Sequence, residues 1–170
     1  MGFDLVGQNG QDFRNNVWWW RPLWDYVCEH CDLSEKAKQS GNYNDGYLVD
    51  ETTAIHIADT LDRLIESGHA KKTEQSYVKD TAPKRNFNKF CEKAAYVFYE
   101  KIVDKQQDKI TCPGDMKTVD PESYKIWSTL MFDLQYRETS YPFEEANIKE
   151  FAEYCRKSGC LLYTSPSPRD

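Results

Sequence analysis

Ala54, Ile57, Ala58, Leu61, Leu64 and Ile65 recur at three- and four-residue steps, the spacing that lays apolar side chains along one face of an α-helix. Asp50 stands where a carboxylate accepts from the free N–H groups of the first turn, and Gly68 where the backbone can leave the helix. Such a stripe demands other elements to bury it, and the chain supplies them. Phe87, Phe90, Cys91, Ala94, Phe98 and Ile102 share a face in a helix that begins near Asn86. Trp127, Leu130, Met131 and Leu134 mark a helix over residues 122–137. Ile148, Phe151, Ala152 and Cys155 form the stripe of a last helix, opened by Ser140 and Pro142. Glu144 and Glu145 suit its positive N-terminal end, Arg156 and Lys157 its C-terminal end, and Gly159 stops it. The patterns predict a mainly α fold: a single domain over residues 1–159 with about five helices.

The remaining helix lies in the most unusual segment, residues 13–24, FRNNVWWWRPLW. Pro22 fits a first helical turn, where its missing N–H costs nothing, so the cap is expected at Trp20 or Arg21 and the helix to about Asp32. Four Trp within seven residues cannot share one helical face. Some must pack inside while others cover loops or meet solvent. Residues 2–7, GFDLVG, alternate as a short strand does, leaving room for a minor two-stranded sheet at the termini that pairs residues 3–6 with a native C-terminal end not represented in residues 160–170. Residues 40–47 read as a turn carrying Asn44, Asp45 and Gly46, residues 69–83 as helix or linker, and residues 111–121 as a loop.

Charge limits the partners. The net charge is -6, which argues against blanket binding to nucleic acid or anionic lipid. Residues 69–93 nevertheless hold seven basic and three acidic side chains. No apolar run approaches the roughly 20 residues that cross a bilayer, and residues 1–5 do not read as a signal peptide. Val6 spoils a myristoylation pattern. Six Cys without a secretory leader read as reduced thiols of a cytoplasmic, soluble protein.

Residues 160–170, CLLYTSPSPRD, resemble the in-frame translation of a transposon-end sequencing adapter, codon for codon. They are expected to be an adapter-derived artefact and carry no weight in the fold prediction. Upstream, the blocks FRNNVWWWRPLW, Asn44-Asp45-Gly46, SYPF (residues 140–143) and Ser158-Gly159 together resemble a family of uncharacterised small phage and environmental proteins. The resemblance spans most of residues 1–159 and is least between about residues 70 and 115. It implies a short apolar end after Ser158-Gly159 and no known activity or catalytic residue.

Cys28 and Cys31 form a CxxC, which supplies half of a zinc site. His30, His69, Cys91 or Cys112 would have to complete it, and no second CxxC or HxxxH exists. Core packing of the thiols is the simpler reading. His56 sits near Asp59 and Arg63 on a polar face, where ion pairing is expected before acid–base chemistry. Glu66 and His69 make a lone ExxH, whereas a di-metal bundle needs two. The EF-hand register on Gly46 fails, because Gly41, Tyr43 and Thr52 fall where acidic ligands belong. A P-loop, GxGxxG, GxSxG and HExxH are all missing.

Three functions follow from different features. The first is a non-catalytic binding or accessory protein that uses Asn15, Asn16, Trp18, Trp19 and Arg21 with Asn44 and Asp45, favouring a protein partner or a small ligand. The second is a metal protein or enzyme organised around Cys28 and Cys31, with zinc as cofactor. The third is a weak nucleic-acid binder through residues 71–93, where Tyr77 and Phe87 interleave the cations. The first leads, and no catalytic residue is assigned.

Overall fold

The computed structural model describes residues 2–43, 46–106 and 109–164, without the side chains of residues 161–164. The fold is mainly α, as the periodicity predicts. The chain divides into two compact units, one made of residues 1–77 with 140–170 and the other of Val78–Thr139.

The first unit starts with strand β1, Gly2–Gly7, and strand β2, Asp12–Asn16, paired antiparallel with Leu5 opposite Phe13. Phe3 and Leu5 point into the core while Val6 faces out, the alternation read from the sequence. Two further strands, β3 (Leu48–Val49) and β4 (Leu161–Thr164), complete an antiparallel sheet of order β2-β1-β4-β3. The strand beside β1 past Gly159 is therefore part of the CLLYTSPSPRD segment, which the sequence reading left out of the fold.

Helix α1, Val17–His30, is capped by Asn16, four or five residues before the expected cap. Asn16 ends β2 and turns its side-chain oxygen onto the N–H groups of Trp18 and Trp19, at 3.0 and 3.1 Å. This cap fixes the start and leaves Pro22 inside the helix, where it removes the rung to the Trp18 carbonyl. Helix α2, Glu35–Tyr43, takes in Ser40 and Gly41, where a turn was expected. Helix α3, Glu51–Glu66, is capped as predicted, with Thr53 N–H donating to Asp50 at 2.7 Å, and Gly68 leaves it with φ +74°.

Helix α4, His69–Lys105, starts in this unit and runs on into the second, so the polar stretch 69–83 is helix and Pro83 lies within it. Helix α7, Glu145–Lys157, packs its predicted stripe of Ile148, Phe151, Ala152 and Cys155 against α3, whose Ala54, Ile57, Ala58 and Leu61 are fully buried. Trp20 stacks between Phe3 and Trp24 at 5.1 and 5.3 Å and meets the edge of Phe151 at 5.5 Å. The core of this unit is therefore aromatic at the sheet and aliphatic between α3 and α7.

The second unit combines most of α4 with α5, Pro113–Val119, and α6, Pro121–Ser128. The loop expected over residues 111–121 is helical because Asp115 reaches back to the N–H groups of Thr111 and Cys112 at 2.8 and 3.0 Å. After α6 comes a π turn, Thr129–Asp133, and a short 3-10 segment, Arg137–Ser140. Asn88 holds the chain here, accepting from Tyr136 N–H at 2.8 Å and donating to its carbonyl at 3.0 Å. Among the described residues no helix is long and apolar enough to cross a membrane.

Candidate functional site

The two inner indoles of the Trp-rich segment are structural. Trp20 and Trp24 have no exposed surface, and their N–H groups donate to the Gly41 and Lys38 carbonyls at 2.7 and 3.0 Å. Those bonds satisfy the polar edge of each ring inside the core. Helical geometry turns Trp18, two residues earlier, away from them, and it remains 46 % exposed.

Trp18 is not isolated. Its ring lies 4.9 Å from that of Tyr141, tilted by 55°. Tyr141 is held from behind by the Tyr77 hydroxyl, which donates to its carbonyl. At the neighbouring residue of α1, Asn15 donates to the Asn147 side-chain oxygen at 2.8 Å, and Asn147 donates to the Trp19 carbonyl at 3.2 Å. The start of α1 thus carries an aromatic ledge, Trp18 against Tyr141 from the segment before α7, and next to it in sequence the Trp19 carbonyl, through which the two carboxamides join β2 to α7.

The predicted binding residues distribute around this ledge. Asn15 and Trp18 belong to it, and Trp19 is half-buried with its carbonyl bound by Asn147. The Asn16 oxygen is occupied in capping α1. Arg21 is exposed one turn further along the helix, and its charge partly offsets the burial that raises the Asp25 carboxyl. Asn44 and Asp45 lie outside the described residues. Sequence reasoning missed Asn147, a polar position on a helix with a clear apolar stripe, and passed over Tyr141 although it belongs to the SYPF block.

The CxxC lies at the other end of α1. Cys28 is half-buried in the last turn, and Cys31 is a core residue that follows the helix. Burial pushes both thiols up to about 11, with Asp25 adding to the effect at Cys28 and a hydrogen bond to Thr60 opposing it at Cys31. Neutral thiols are poor nucleophiles. Among the described residues no group of three or more His, Cys, Asp or Glu side chains converges to hold a metal ion, whereas zinc takes four ligands.

A second polar cluster joins His30 and His69, which the sequence offers only as zinc ligands, to Tyr26, which it does not single out. The Tyr26 hydroxyl lies 2.8 Å from His69 Nδ1, and the His30 ring stands edge-on to both, 4.4 and 4.9 Å away. Burial drives the Tyr26 hydroxyl up to about 12, so it stays protonated and can donate to His69. The basic stretch is partly neutralised: Lys71 pairs with Glu74 at 2.6 Å and Lys84 with Glu138 at 2.8 Å. Compared with family models, curated proteins and solved structures, the chain matches none.

Proposed function

We propose that the chain is a non-catalytic binding protein whose ligand lies flat on the Trp18–Tyr141 ledge. The observation that carries this reading is the split within one Trp cluster: Trp20 and Trp24 are sealed in the core, while Trp18 is held against Tyr141 with nearly half its surface free. A rigid, partly exposed indole binds at low entropic cost. The carboxamides of Asn15 and Asn147, linked to the adjoining Trp19 carbonyl, would add directional hydrogen bonding. That pairing of an apolar face with amide donors suits a sugar ring or a nucleobase. We place the protein in a reducing cytoplasm, a reading supported by the burial of Cys31 and Cys155 as core thiols.

Tryptophan fluorescence and ligand-observed NMR on the full chain, titrated with a panel of oligosaccharides and mononucleotides, test the proposal. At least one class is expected to bind, and Trp18→Ala is expected to remove that binding while leaving the circular dichroism spectrum unchanged. A ligand that binds equally well to Trp18→Ala, or a panel without a hit, would overturn it.

A further inference from the structure

The second unit leaves one stripe of α4 uncovered. Phe87, Phe90, Ala94, Val97 and Lys101 follow each other at alternating three- and four-residue steps, the a/d spacing of a two-helix seam. Phe90 is 65 % exposed and Val97 42 %, whereas Cys91 and Ala95, further round the same helix, are buried. Phe90, Lys93, Ala94, Val97, Phe98 and Lys101 line a shallow, mainly apolar hollow of about 490 Å³. Water on so continuous an apolar strip is costly, and such strips mark places where another surface belongs.

We propose that this face of α4 docks against the same face of a second copy of the chain, antiparallel, across a two-fold axis near residues 95 and 96. The charges choose both the occupant and the direction. A parallel, in-register pair would set Lys101 against Lys101 and Asp104 against Asp104 within the seam, a repulsive arrangement. In the antiparallel pair Ala94 meets Val97 of the second copy, and Lys101 lays its stem along Phe90 of the second copy with its ammonium near the ring. Lys93 and Glu100 flank the same side of the seam seven residues apart, so Lys93 of one copy lies about 3 Å along the helix from Glu100 of the other, within reach of its long side chain. Such self-complementarity, with the same residues on both copies meeting each other, is what an isologous two-fold interface requires. Glu100 also interacts through its side chain with Tyr96, which keeps the carboxylate on that flank. The stripe is about 21 Å long, so the interface falls in the small class and the dimer dissociates in the micromolar range.

Sedimentation velocity of the full chain, from low to high micromolar concentration, reads the equilibrium directly. A monomer–dimer transition is expected, abolished by Phe90→Asp. Lys93→Glu is expected to weaken dimerisation about tenfold, and the double variant Lys93→Glu/Glu100→Lys to recover it to within about threefold. Circular dichroism confirms that each variant is folded, which the exposure of the substituted side chains favours. A monomer at every concentration overturns the proposal. So does a dimer indifferent to Phe90→Asp, or a double variant no tighter than Lys93→Glu.

Discussion

Trp24 occupies the space that a side chain at position 41 would fill: a Cβ on Gly41 would stand 2.1 Å from Cε2 of its indole. Gly41 is a helical residue of α2, where Gly ordinarily costs about 0.5–1 kcal/mol relative to Ala. Its value here is the close approach of α2 to α1, which also brings the Gly41 carbonyl to the Trp20 N–H. Gly41→Ala is therefore expected to reverse the usual helix-propensity effect and destabilise the protein by roughly 1–3 kcal/mol through overpacking. Urea denaturation decides the sign, since an unchanged or raised midpoint means the indole is not held against α2.

The same packing separates two tryptophans that the sequence presents as equivalent. Trp20→Ala empties a fully buried site and is expected to cost about 3–5 kcal/mol. Trp18→Ala removes an indole with nearly half its surface in water, and its stability effect is expected to stay within about 1 kcal/mol. Thermal melts of the two variants side by side test this, and comparable losses would show that Trp18 belongs to the core.

What was legible depended on whether the information is local. The stripes of α3 and α7, the Asp50 cap and the Gly68 stop are repeated local signals, and the structure shows each of them. The start of α1 was misread because Pro22 looks like a first-turn residue. The cap that overrides it, Asn16, is set by where β2 ends, which depends on pairing with β1. Phe90 was assigned to the same face as Cys91, yet only Cys91 is buried: periodicity gives the apolar residues of a helix but not which of them the tertiary fold covers. The ledge was half visible. Trp18 stands out in the sequence, but Asn147 meets Asn15 across 132 residues and Tyr141 meets Trp18 from the far end of the chain.

Thiol chemistry should follow burial. Cys28 and Cys31 are held up to about 11 and Cys155 well above its usual range, chiefly by desolvation, while Cys112 is exposed. Native protein at neutral pH is expected to label first at Cys112, with Cys31 and Cys155 reacting only on unfolding. Each raised thiol binds its proton more tightly when folded, so its contribution is complete below the unfolded value near 9 and is lost as pH rises towards 11. Stability should fall across that alkaline window. Peptide mapping after a brief iodoacetamide pulse, together with urea midpoints from pH 8 to 11, checks both statements.

Asp115 acts with the opposite sign. It accepts from Thr111 N–H, Thr111 Oγ1 and Cys112 N–H, and these bonds hold its carboxyl down to about 2. Its contribution is present above the ordinary carboxylate range near 3.8 and disappears as pH falls towards 2. Hydrogen exchange is expected to show the Thr111 and Cys112 amides losing protection first in acid, and Asp115→Ala losing it at neutral pH. Unchanged protection in that variant would mean that α5 is held by Met116 packing alone.

Asn16 allows capping to be separated from ligand binding. Its oxygen accepts from two N–H groups at the start of α1, and removing such a cap costs about 1 kcal/mol. Aspartate offers the same acceptor with a charge suited to a helix N-terminus. Asn16→Ala is therefore expected to lower the melting temperature, and Asn16→Asp to hold or raise it. If Asn16 serves only the helix, Asn16→Asp should bind any ledge ligand as the parent does, because Trp18 stays oriented. If its free amide also contacts the ligand, Asn16→Asp should keep its stability and lose affinity. Melting curves and titrations on the same two variants distinguish these roles, since a purely structural residue moves stability and affinity together.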